Sequence, residues 1–402
     1  MAQQFGTPLY VYDASVIEAR VREFAQFDVV RFAQKACSNL AILDLMRNSG
    51  VLVDAVSAGE IQRALAAGYL PGRGDHPEIV YTADIFDHES LDLVVEHYLP
   101  VNCGSPIMID QLGKRMPDCD ITLRINPGFG HGHSQKTNTG GSGSKHGIWH
   151  TQIPDCIERA AKYGITVTGL HMHIGSGTDM DHLSQVCHAM EKAALEVGPS
   201  LRSISAGGGL SVPYREGEQR VDVAAYFAMW DATRQKIATA CGSPLMLEIE
   251  PGRYLVAEAG SLLTEIRAIK QMGENLYYLV DAGFNNLARP ILYGAYHPME
   301  ICRRNVESSR FVDVVVGGPL CESGDIFTQE DGGFVSTRSL PEAEVGDILV
   351  IGCAGAYGAV MGSNYNTKPL AAEVLIKDSH PHLIRARQSF EDIIRGERIP
   401  IA

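Results

Sequence analysis

The chain has 402 residues, 45% of them hydrophobic and 20% charged, which describes a soluble globular protein too long for one small core. A formal net charge of −14 disfavours nucleic acid and an anionic membrane surface as partners, so any anionic ligand must be held by local donors. The nine cysteines are scattered without a C-x-x-C pair, which fits reduced thiols in a cytoplasmic protein. The opening "MAQQFGTPLYVYD" has no basic or apolar signal region, and no apolar run approaches a membrane span.

Taken in chain order, "TPLYVYD" reads as a strand that precedes the main series and crosses over to a later domain. From residue 20 onward, short apolar strands alternate with amphipathic helices. Strands are expected at Val29–Lys35, Val51–Val56, Glu78–Thr82, Leu99–Cys103, Ile121–Asn126, Ile165–Ile174, Arg202–Ala206 and Leu245–Glu250. Helices are expected at Asn39–Ser49, Ala58–Ala67, His88–Tyr98, Ile107–Arg115, Gln152–Tyr163, Met180–Val197 and Val221–Thr239. Alternation of this kind predicts a parallel sheet, and eight strands predict a (β/α)8 TIM-like barrel over residues 20–255.

After Arg253 the texture becomes β-rich with Gly, Asp and Asn turns and no regular helical spacers. This predicts an antiparallel β domain, of sandwich or Greek-key type, built from residues 1–19 and 256–402. "SFEDIIRGE" reads as a short closing helix. A long polar, glycine-rich loop at 128–150 follows the fifth strand and reads as a lid; its His131, His133, Lys136 and His146 read as solvated polar residues.

Active-site residues of such barrels gather at the C-terminal ends of the strands. Those ends carry Lys35 after the first strand, and His173 with Ser176 after the sixth. Gly207–Gly208–Gly209 follows the seventh, and Glu250–Pro251–Gly252–Arg253 the eighth. Alone, a triple glycine is a turn. Paired with an arginine after the next strand, it becomes a phosphate cradle of unobstructed backbone N–H groups. A phosphate site facing a lysine, a carboxylate and an imidazole suggests pyridoxal phosphate. Lysine captures the aldehyde, the carboxylate keeps the ring nitrogen protonated, and the imidazole stacks on the ring.

The "HMH" at 171–173 also suggests a metal-dependent barrel hydrolase, but its place on the sixth strand disfavours that alternative. His171 reads as a satisfied structural residue. Ser57 and Glu60 have capping-box spacing and read first as a helix start. In the β-rich part, Arg289 with Tyr293, Cys321 with Glu322, and Tyr357 stand out in unusual patches.

As a set, "FAQKACSN", "RINPGFGHGHSQKTNTGG", "SKHGIW", "HMHIGSG", "SAGGGLSVPY", "EIEPGR", "DAGFNNLARPILYGAYH", "GPLCESGD" and "GAYG" span nearly the whole chain. With them the sequence resembles the alanine-racemase-like (fold type III) pyridoxal phosphate decarboxylases, and within these the bacterial diaminopimelate decarboxylase family. The resemblance implies that Lys35 anchors the cofactor covalently, His173 stacks on its ring and Glu250 pairs with the ring nitrogen. It implies that Ser176, Gly208, Gly209, Gly252, Arg253 and Tyr357 hold the phosphate. Arg253, Arg289, Tyr293 and Tyr357 would bind substrate, with Glu322 on the distal amine. Cys321 would come from the partner subunit as proton donor, making an obligate homodimer that converts meso-diaminopimelate to L-lysine and carbon dioxide. The nearest alternative is a decarboxylase of the same fold acting on ornithine, arginine or lysine. Arg289 and Tyr293 weigh against it, because they suit a second carboxylate.

Overall fold

The computed structural model describes residues 1–72, 77–130, 139–173, 175, 180–303 and 310–400. They fall into two compact units, one of residues 18–212 and 220–255, the other of 1–17, 213–219 and 256–402.

The first unit is a closed parallel barrel. Its strands are Val29–Ala33, Leu52–Ala55, Ile79–Ala83, Val101–Cys103, Asp120–Asn126, Thr166–His171, Ser203–Ser205 and Met246–Ile249. Each pairs in parallel with the next, and the eighth closes on the first with Glu248 opposite Val29. Every strand is shorter than the apolar run that announces it, except Asp120–Asn126, which gains a residue, and Ile79–Ala83, which is displaced by one. The intervening helices follow the expected pattern because cap and apolar face agree. Asp222 accepts from the Ala225 N–H at the start of Val223–Cys241, and Val223, Tyr226, Trp230, Thr233 and Ile237 are buried on one face. Gly242, at φ 73°, ends that helix in the left-handed conformation glycine adopts freely.

The helix Ala14–Arg22 was not expected. Its start is marked by Asp13, whose carboxylate accepts from the backbone N–H and hydroxyl of Ser15.

The second unit is mostly antiparallel, with two exceptions. Leu9–Asp13 runs antiparallel to the long strand Gly260–Met272 and parallel to Ala372–Lys377. Asn275–Val280 runs parallel to Phe311–Gly317. Leu9, Ala372 and Val374 are buried together with Phe5, Val11 and Leu263 packed against them, which is why "TPLYVYD" belongs to this sheet. Residues 213–219 join this unit although they interrupt the barrel sequence.

Candidate active site

The first barrel strand ends at Ala33, and the chain turns through a short 3-10 segment, Gln34–Ala36, whose middle residue is Lys35. Gln34 and Ala36 are buried while Lys35 is exposed, so the turn is pinned on both sides, and the Lys35 charge is felt by Asp54, Glu60 and His173. Asn39 then caps the next helix, its side chain accepting from the Ala41 N–H at 3.0 Å. The Ala33 N–H donates to Pro251 O, and a Cβ on Gly252 would sit 3.0 Å from Ala33 O, so the ends of strands one and eight are in close contact.

Beneath this turn the barrel mouth carries a collar of buried polar side chains: Asp54, Thr82, Asn102, Arg124, His171, Ser205 and Glu250. Glu250 is 6% exposed, and each of its carboxylate oxygens has a partner from inside the barrel. His171 Nε2 lies 2.8 Å from Oε2, and Ser205 Oγ donates to Oε1 at 3.2 Å. Burial alone would raise the carboxyl pKa, but His171 and the charges of Arg31 and Arg124 outweigh it and pull Glu250 down to about 2. Asp54 is moved the other way. Burial and then the charge of Glu250 push it well above the carboxylate range, against the Thr82 hydrogen bond and the Lys35 cation.

After the seventh strand, Gly207 and Gly209 take φ of 62° and 98°. A Cβ would lie 2.4 Å from Met172 O at Gly207, 2.5 Å from Glu250 O at Gly208 and 2.2 Å from Gly175 O at Gly209. The space above this strip is bounded by His173, whose Cε1 would be 3.2 Å from the Gly209 Cβ. His173 Nδ1 is buried without a hydrogen-bond partner among the described residues. Burial, then the Arg124 and Lys35 cations, hold its pKa well below the ordinary histidine value, so the ring is uncharged at neutral pH.

This donor set fits the phosphate and ring of pyridoxal phosphate. A glycine strip tolerates no side chain, a neutral imidazole flanks it, an ionised carboxylate is held from behind, and an amine is exposed at the same mouth. Gly209→Ala forces a non-glycine residue into a conformation that costs about 1–3 kcal/mol. We expect it to weaken pyridoxal phosphate binding about tenfold or more, measured by fluorescence titration. Unchanged affinity would remove the strip from the cofactor's binding site. Ser176 lies outside the described residues, as do His131, His133 and Lys136. Arg253 is the first residue of a short helix, Arg253–Val256.

The two arms of the 128–150 segment converge on Asn126. Its Oδ1 accepts from the N–H groups of Gly128 and Gly141, and its Nδ2 donates to the carbonyls of Gly141 and His146. His146 is half-buried rather than simply solvated: its Nδ1 lies 2.6 Å from Asp84 Oδ2, and the Gly147 N–H donates to Asp84 Oδ1. Burial works against Asp84 ionising, yet His146, the Gly147 N–H and Arg124 hold it below the usual range.

In the second unit, Arg289 begins the helix Arg289–Tyr293 and is 6% exposed. Its Nη1 donates to Tyr214 Oη at 3.1 Å and lies 3.0 Å from His297 Nε2, while His297 Nδ1 is 3.0 Å from Gly352 O. Tyr293 is half-buried at the end of that helix. Cys321 and Glu322 are both exposed, on a turn organised by Asp325, which accepts from the N–H groups of Phe284 and Leu320. The Cys321 N–H is held by Asn366 Oδ1 at 2.7 Å. Tyr357 takes φ of 55°, in a stretch where Gly358 could not carry a Cβ because Ala354 O would lie 2.3 Å away.

Sequence reasoning missed Asp54, Arg124 and Ser205, and read His171 as a satisfied structural residue without naming Glu250 as its partner. Their common signal is a polar residue at or near the C-terminal end of a barrel strand. The Ser57–Glu60 reading holds in part. Ser57 Oγ accepts from the Glu60 N–H, but the Glu60 carboxylate accepts from Val56 rather than returning to Ser57. Among the described residues no group of three or more His, Cys, Asp or Glu side chains could hold a metal ion, and His171 is engaged by Glu250.

Residues 14–257 match the family described as pyridoxal-dependent decarboxylase, pyridoxal binding domain. The chain is 54% identical over 398 residues to the diaminopimelate decarboxylase of Escherichia coli (strain K12), covering 98% of this chain and 94% of that protein. It is 51% identical over 401 residues to the diaminopimelate decarboxylase of Streptomyces coelicolor, covering 99% and 91% respectively. A crystal structure of a diaminopimelate decarboxylase superposes with a TM-score of 0.95 at 54% identity, covering 98% of this chain and 94% of that one.

Proposed function

Since this chain belongs to the pyridoxal phosphate-dependent decarboxylases of fold type III, and within them to the diaminopimelate decarboxylases, we infer that it converts meso-diaminopimelate to L-lysine and carbon dioxide. The observation that carries this reading is the ionised Glu250, fixed by His171 and Ser205, at the same barrel mouth as Lys35 and the glycine strip. When bound, pyridoxal phosphate supplies an aldehyde that takes up an amine and a protonated ring that accepts the electron pair left by departing carbon dioxide.

The residues then divide the work. With the cofactor bound, the Lys35 amine would be the group that holds it covalently between turnovers. Glu250 would keep the ring nitrogen protonated, and His173, being uncharged, would lie beside the ring without competing for that proton. N–H groups of Gly208, Gly209 and Gly252 hold the phosphate, with Ser176, Arg253 and Tyr357. Arg289, Tyr293 and Arg253 grip the distal carboxylate, and Glu322 takes the distal amine. Gripping one end of a substrate whose two ends differ in configuration selects the carboxylate that is lost. The buried, preset Arg289 supports a second carboxylate over a plain basic amino acid.

Cys321 delivers a proton to the α carbon. Its exposure on its own chain supports presentation to the site of a second copy, in a homodimer. Cys321→Ala should lower turnover about 10²–10⁴-fold while the cofactor's visible band persists, as read by spectrophotometry and lysine formation. Loss of the band in a folded variant would move Cys321 from proton delivery to cofactor binding. All nine cysteines are unbridged, which supports work in a reducing compartment such as the cytoplasm. Among the described residues no helix is long and apolar enough to cross a membrane.

The deciding experiment offers purified enzyme meso-diaminopimelate, L-ornithine and L-lysine side by side and measures carbon dioxide release. Release from the diaminopimelate alone is expected. Preference for ornithine or lysine would overturn the substrate assignment.

A further inference from the structure

The collar contains one residue whose only hydrogen-bonding role in the described structure points at the site, and it is not among those that touch a ligand. His171 ends the sixth barrel strand and is 1% exposed. Its Nδ1 is buried with no hydrogen-bond partner among the described residues, and its Nε2 is 2.8 Å from Glu250 Oε2. An ionised carboxylate only accepts, so the shared hydrogen belongs to Nε2. A leucine or phenylalanine would fill the same core position without stranding a buried nitrogen, so packing alone does not account for the imidazole.

The second donor completes the arrangement. Ser205 Oγ accepts from the Gly207 N–H at 3.1 Å, which leaves the hydroxyl hydrogen to reach Glu250 Oε1 at 3.2 Å. The Glu250 N–H in turn donates to Gly207 O at 2.9 Å. One donor on each oxygen, both from inside the barrel, fixes the plane of the carboxylate and leaves its remaining lone pairs for a partner at the mouth. We infer that His171 is a positioning residue for the decarboxylation, holding through its Nε2–H the carboxylate that faces the cofactor's ring nitrogen. This rests on the reading of Glu250 given above.

A merely structural histidine and a positioning one differ in what their replacement changes. In the cofactor-free protein, nitrogen NMR of the ring should place a hydrogen on His171 Nε2 near neutral pH; a bare Nε2 would overturn the inference. In the loaded enzyme, His171→Leu should alter the cofactor's visible band and lower kcat about ten- to a hundredfold with KM nearly unchanged, as for other groups that orient a ligand from behind. His171→Gln, whose amide can donate to the same oxygen, should restore most of both. A folded His171→Leu with wild-type band and kcat would overturn the inference, as would a folded His171→Gln no better than the leucine variant. If the leucine variant does not fold, the ring NMR and the glutamine variant decide. Glu250→Gln separates the two readings. If it loses band and turnover while folded His171→Leu keeps them, only His171 is wrongly assigned; if it keeps them, the reading of Glu250 fails and this one with it.

Discussion

Lys35→Ala is expected to fold, to lack the visible band of covalently held cofactor, and to form lysine about 10⁴-fold more slowly or not at all. The effect on stability should be small, because the side chain is exposed and its turn is held by the buried Gln34 and Ala36 and by the Cys37 N–H bond to Gln34 O. Substitutions of this kind ordinarily fall within about 0.5 kcal/mol. Asp54 and Glu60, both of which feel the Lys35 cation, lose a neighbour that favours their ionised forms. Lys35→Arg keeps a positive charge but no primary amine, so it should fail as completely as alanine. A visible band in either variant, or turnover near wild type, would refute the anchor assignment.

The second large effect is expected at Glu250. Glu250→Gln keeps the shape and one oxygen to accept from His171 or Ser205, but it sets an amide NH2 against the other and removes the negative charge opposite the ring nitrogen. Turnover should fall about 10²–10³-fold, in line with losing one preorganised electrostatic partner. The same charge gives a pH signature. The Glu250 carboxyl is held near 2 in the fold, below its ordinary value. The unfolded chain therefore takes up its proton first as pH falls, and the stability Glu250 contributes near neutrality is lost between the ordinary value and about 2. Acid unfolding followed by circular dichroism should show a shallower dependence over that interval in Glu250→Gln. An identical profile would mean that Glu250 carries no such linkage.

The barrel was legible because eight short apolar runs each end in Gly, Pro or polar residues and alternate with capped amphipathic helices. Lys35, His173, the glycine run and Glu250 were legible because each follows a strand. What escaped were relations between strands far apart in sequence. Nothing near "LHMH" says that His171 will meet Glu250, 79 positions later. His146 read as solvated because its partner Asp84 lies 62 positions earlier, at the end of another strand. The segment 213–219 read as barrel loop because its affinity is for residues near 289–297, as in the Tyr214–Arg289 contact. Composition and periodicity report on a residue's own element, whereas charge partners are set by which strand ends the closed barrel brings together.

Asn126 closes the neck of the long segment with four hydrogen bonds, and Asp84 adds two more. The entropy of closing that segment grows only with the logarithm of its length, at about 0.6 kcal/mol per doubling. Asn126 alone supplies four of these bonds, so Asn126→Ala should release both arms of the neck at once and lower the barrel's thermal midpoint, read by calorimetry.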